Sequence, residues 1–110
     1  MFIRWLAIAK PLIRALTFSV PNGGTRNARE VIELKRQGLT NGVSDIFICI
    51  PSRDLHGLFI EFKSRTGKVS EEQAAFIARV KEAGYGAVVC YSFDEAQVIL
   101  LNYIEGTKYV

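Results

Sequence analysis

Apolar residues recur at helical spacing from the first turn of the chain, with Phe2, Trp5, Leu6 and Ala9 on one side. That spacing predicts a helix docked on a core, which Pro11 breaks or restarts. Residues 16–20 read as a strand, and Pro21-Asn22-Gly23-Gly24 is a turn signal. A helix is expected over 27–37, with Ala28, Val31 and Leu34 roughly on one side and Gly38 as its stop. Two apolar runs then follow, Ile46-Phe47-Ile48-Cys49-Ile50 and Leu58-Phe59-Ile60-Glu61-Phe62-Lys63, joined by a turn-rich segment over 51–57. Both read as strands. Ser70 and Gln73 form a capping box that opens a helix carrying Phe76, Ile77, Val80 and Ala83 as its buried stripe, ended by Gly84. Residues 86–91 read as a buried strand, and Ser92 with Glu95 caps a last helix that runs to about Ile104. The order α-β-α-β-β-α-β-α describes one α/β domain over 1–110, with a small mixed β-sheet flanked by helices.

Composition agrees with a folded domain, with 49% hydrophobic and 23% charged residues. The net charge of +3 is unevenly spread. Residues 1–44 hold seven Lys/Arg against two Glu, whereas 45–110 hold seven against nine acids. The basic half suits an anion such as a nucleic-acid backbone, and an ordinary solvated surface accounts for it as well. Cys49 and Cys90 lie in separate apolar runs and the only histidine is His56, so a zinc site is excluded and both thiols are expected buried and reduced, in a cytoplasmic setting. Arg4, Lys10 and Arg14 interrupt the N-terminal apolar stretch long before the ~20 residues that a membrane span needs.

The chemistry concentrates around Asp45, Glu61 and Lys63. Alternate side chains of a strand share a face, so Glu61 and Lys63 point the same way, and an antiparallel partner can bring Asp45 beside them. Two carboxylates and an ammonium suit a magnesium-dependent phosphodiester hydrolase: the ion takes oxygen ligands, and the lysine orients a water or stabilises charge on phosphorus. A solvent-facing ion pair at a sheet edge is the plainer account. Against it stands the hydrophobic run around Glu61, where an unpaired charge is costly.

These residues and their flanks resemble the VRR-NUC domain, the virus-type replication-repair nuclease branch of the PD-(D/E)XK superfamily. The resemblance is carried by Val20-Pro21-Asn22-Gly23-Gly24-Thr25-Arg26, Leu34-Lys35-Arg36-Gln37-Gly38, Gly42-Val43-Ser44-Asp45-Ile46-Phe47 and His56-Gly57-Leu58-Phe59-Ile60-Glu61-Phe62-Lys63. Gly67-Lys68-Val69-Ser70-Glu71-Glu72-Gln73 and Ala83-Gly84-Tyr85 extend it. It implies a restriction-endonuclease-like core, with Mg2+ or Mn2+ held by Asp45, Glu61 and the Phe62 carbonyl. Lys63 matches the catalytic lysine, and Gln73 the glutamine that follows the core motif, although the capping box explains Gln73 equally well.

The resemblance also implies a DNA endonuclease, often a homodimer acting on branched DNA such as four-way (Holliday) junctions. Of the basic residues, Arg26 and Lys68 flank the motif and are the best candidates for phosphate contacts. Phe2, Trp5 and Leu6 are candidates for a dimer interface or for packing within the chain. Two departures stand out: Ser44 replaces the usual proline, and no acid precedes Glu30, where the family usually carries a first-helix glutamate. Glu30 or Glu33 is the available substitute. The rival reading is a catalytically inactive nucleic-acid-binding or dimerisation module.

Overall fold

The computed structural model describes residues 1–20 and 27–110. Pro11 stands at the first position of its own short helix, so the N-terminal apolar stretch forms two pieces, α1 (Phe2–Ala9) and α2 (Pro11–Ala15). The strand β1 (Thr17–Ser19) follows. The next helix, α3 (Ala28–Arg36), is capped by the Asn27 side chain, which accepts from the Glu30 N–H. The two central strands are β2 (Ile46–Ile48) and β3 (Leu58–Phe62). Helix α4 (Glu71–Glu82), strand β4 (Gly86–Cys90) and helix α5 (Phe93–Ile104) complete the chain.

The four strands form one mixed sheet in the order β1-β2-β3-β4. β1 and β3 both run antiparallel to β2, and β4 runs parallel to β3, the connection being α4. Alternation then sorts the side chains between two layers. On one face Ile46, Ile48, Leu58 and Ile60 are buried with Phe2 and Leu6 of α1 and with Ala96, Leu100 and Ile104 of α5. Each such buried aliphatic side chain contributes about 1.5–3 kcal/mol. On the other face Phe47 and Phe59 pack at a 4.4 Å ring separation, and Phe59 meets Phe76 of α4 edge-on at 5.2 Å.

One open choice closes at this level and two expectations change. Phe2 and Leu6 are spent in the chain's own core, so they are unavailable to a dimer interface. Cys90 is buried but Cys49 is exposed, because alternation turns Cys49 away from the core that Ile48 and Ile50 enter. The stripe of α4 is half-buried, with Ala83 exposed, since that helix covers one sheet face from outside.

α5 is fastened to the β2–β3 connection by groups that apolar packing alone would not hold. The buried Tyr103 hydroxyl donates to the Ile50 carbonyl at 2.7 Å, and Ser52 Oγ donates to the Tyr103 carbonyl. Tyr103→Phe should therefore leave the Ile50 carbonyl unpaired and lower stability by about 1–3 kcal/mol. Urea denaturation checks this; an unchanged midpoint would mean that the hydroxyl contributes nothing there.

Candidate active site

The register of β2 against β3 pairs Ile46 with Ile60. One step further along, Asp45 lies opposite Glu61 on the aromatic face of the sheet. Asp45 is held at both ends: its carbonyl accepts from the Val20 N–H at 2.7 Å, and its Oδ2 accepts from the Phe62 N–H at 2.8 Å. The second bond is a side-chain substitute for the next rung of the ladder, and it ends the β2–β3 pairing at that point.

Glu61 is only 3% exposed. Its Oε2 lies 3.8 Å from Lys63 Nζ, an ion-pair rather than a hydrogen-bond distance, and its Oε1 is buried without a hydrogen-bond partner among the described residues. Burial pushes the Glu61 carboxyl up from its ordinary 4.5 to about 7. The neighbouring Asp45 carboxyl adds to the rise, and the Lys63 ammonium opposes it. Lys63 is fixed through its backbone, whose N–H donates to the Cys90 carbonyl at 2.9 Å and prolongs the parallel ladder.

An orphaned, buried carboxylate oxygen beside a second carboxylate is a donor set short of a cation. Among the described residues no three His, Cys, Asp or Glu side chains cluster, so the site offers no dedicated side-chain cage. Two carboxylates and a backbone carbonyl fit a magnesium-like ion, which keeps several waters of its own.

The remaining candidates fall at different distances from this pair. Gln73 is half-buried at the start of α4; its Oε1 accepts from the Ser70 N–H at 2.9 Å, and Ser70 Oγ accepts from the Gln73 N–H at 3.1 Å. The capping box is therefore complete, and Gln73 also lines a cleft of about 280 Å³ with Thr40, Asn41 and Gly42. Lys68 is exposed in the loop between β3 and α4. Arg26 lies outside the described residues. Glu30 and Glu33 do not join Asp45 and Glu61. Glu30 accepts from Asn27 at 3.3 Å, while Glu33 accepts from Gln37 at 3.2 Å and pairs with Arg36 at 3.9 Å. His56 packs edge-on against Tyr85 and over Gly84, away from the carboxylates.

One contributor escaped the sequence reading. Gly42 has φ +83° and sits so close to the first turn of α4 that an added Cβ would strike the Glu72 carbonyl. The loop that delivers Asp45 is thus pressed directly onto the helix that carries Gln73. Thr40-Asn41-Gly42 signals a turn, but no local pattern shows what that turn rests against.

A mixed sheet whose central antiparallel strands present facing carboxylates, with a parallel strand fixing a lysine beside them, has the architecture of an α/β nuclease. The VRR-NUC domain family model matches residues 4–94, and the chain belongs to that family. It is a family of nucleases, with DNA as the implied substrate. A solved structure described as a VRR_NUC domain protein superposes with a TM-score of 0.81, covering 94% of this chain and 82% of its own, at 24% sequence identity. At that identity the likeness establishes the fold. No curated protein matches the chain. No described helix is long and apolar enough to cross a membrane.

The Glu61 shift has a measurable sign. The folded protein holds the proton more tightly than the unfolded chain, so stability should fall as pH rises from about 4.5 to about 7 and level off above. A rise of this size is worth roughly 3 kcal/mol. Glu61→Gln should flatten that segment of the metal-free profile. Denaturation midpoints across pH 4–8 test this; identical slopes for the two proteins would contradict it.

Proposed function

We propose that this chain is a metal-dependent endodeoxyribonuclease, selective for branched DNA such as four-way junctions. The observation that carries the reading is the buried Glu61, with one oxygen unpartnered, set opposite Asp45 and beside Lys63. Asp45, Glu61 and the carbonyl of Phe62 would hold Mg2+ or Mn2+. The chemistry such an ion supplies when bound is neutralisation of charge on the phosphate and activation of a water.

Each residue has its own part. The Phe62 N–H holds Asp45 Oδ2 and thereby orients the carboxylate. Glu61 would offer the lone pairs of the oxygen that has no described partner, and its carboxylate form, the one that would hold the ion, is favoured by the Lys63 ammonium. Lys63, anchored through Cys90, places its ammonium to orient the attacking water and to stabilise negative charge developing on phosphorus. Gln73 has its carbonyl oxygen engaged in the cap, which leaves the amide nitrogen to meet the substrate. Lys68 and Arg26 serve the phosphate backbone, positioning the DNA without reading its sequence. A homodimer fits paired incisions, since a two-fold axis places equivalent sites on symmetric strands. The setting we assign is cytoplasmic.

The test is cleavage of an end-labelled four-way junction beside a linear duplex, with magnesium or manganese. Asp45→Ala and Lys63→Ala should each lose roughly a hundredfold or more of the rate, and EDTA should abolish cutting. Junction binding that persists in EDTA, with no product in any metal, would establish the non-catalytic alternative instead.

A further inference from the structure

Of the large apolar side chains left exposed among the described residues, Phe18 alone belongs to a strand; the others, such as Ile8, Leu12 and Val98, stand on helices or at element ends. A single exposed apolar residue is ordinary on a protein surface. The register makes this one different. Phe18 lies opposite Phe47 and Phe47 opposite Phe59, so three rings form a row across the sheet on the face that carries Asp45 and Glu61. Strand spacing and rise put the Cα atoms of Phe18 and Asp45 about 8 Å apart.

The inner rings of the row are covered. Phe59 meets Phe76 at 5.2 Å and Tyr85 at 5.7 Å, and Phe47 meets Tyr85 at 5.9 Å. Phe18 ends the row: its ring contact among the described residues is Phe47, at 5.7 Å with 71° between the planes, and it is 51% exposed. That edge-on contact positions the ring while leaving much of it open. A guanidinium stands at the same edge of the sheet. Arg14 Nη1 donates to the Thr17 carbonyl at 2.8 Å, and no acid among the described residues pairs with it. That bond uses one of its five N–H donors.

We propose that Phe18 and Arg14 form a subsite for one unpaired nucleotide beside the Asp45–Glu61 centre, with Phe18 stacking the base and Arg14 holding the phosphate. The inference rests on the nuclease reading of that centre, which brings a DNA strand to this face. A strand advances ~3.4 Å per nucleotide in duplex form, so one entering the centre reaches Phe18 within two or three nucleotides. A base inside a duplex already has its faces covered, so an aromatic ring selects a base that has left the stack. Every base has such a face, and the subsite therefore reads the unpaired state rather than the sequence.

The experiment compares two fluorescein-labelled single strands by anisotropy on the full chain in EDTA. One is an oligothymidylate; the other has the same length and phosphates but abasic sugars. Wild type should bind the first roughly tenfold more tightly. Phe18→Ala and Phe18→Leu should lose that preference, the second while keeping an apolar side chain, and Phe18→Tyr should retain it. Arg14→Gln should weaken both strands alike and lower the salt slope by roughly 0.7. Failure of wild type to bind either strand overturns the proposal, as does equal binding of the two, or a preference that survives in Phe18→Ala or Phe18→Leu. Self-association that Phe18→Ala abolishes would also overturn it, by giving the ring to a second copy of this chain. Binding in EDTA needs no turnover, so the two readings fail separately. A Phe18-dependent preference in a protein that never cuts DNA keeps the subsite and removes the nuclease; metal-dependent cutting without any base preference does the reverse.

Discussion

Everything at the site depends on the register of β2 against β3. Ile46 opposite Ile60 puts the aliphatic residues of both strands into the layer with α1 and α5. The same pairing puts Asp45 opposite Glu61 on the other face. A slip of one residue would send the aliphatic set to the wrong side and separate the carboxylates together, so core packing and site geometry are enforced by one choice. The hydrophobic energy of the core, several side chains at about 1.5–3 kcal/mol each, is what holds two like charges close enough to interact.

That proximity has a cost which the structure distributes. Glu61 is buried with an unpartnered oxygen, and its carboxyl is pushed up to about 7 by burial and by Asp45. Lys63 offsets this only in part, from 3.8 Å. Asp45 is better provided for, with the Phe62 N–H on one oxygen. The pair is therefore unequal before any substrate arrives. Asp45 is preset by a backbone bond, while Glu61, whose affinity for a proton is raised by burial, is not.

What the sequence made legible was whatever local rules govern. The Ser70–Gln73 capping box was readable because both of its bonds lie within one turn, and strand alternation was enough to place Glu61 and Lys63 on a common face. Ser92 was legible as a cap too, but Glu95 sends its carboxylate to the Tyr91 N–H rather than back to Ser92. What local rules leave open or misjudge is what meets what. Apolar Phe2 and Leu6 advertise burial without saying against which partner, and Cys49 shares an apolar run with residues that enter the core while pointing away from it. The approach of Gly42 to Glu72 joins a loop to a helix distant in sequence, and no local spacing encodes it.

The backbone bond from Lys63 to Cys90 bears on how the chain comes into being. A polypeptide leaving the ribosome carries Asp45, Glu61 and Lys63 well before it carries β4, the strand that pins the lysine in line. Until α4 has crossed over and β4 has docked, the charged residues exist without their alignment. Order of synthesis thus leaves Asp45, Glu61 and Lys63 unaligned until β4, which α5 follows in the chain, has emerged.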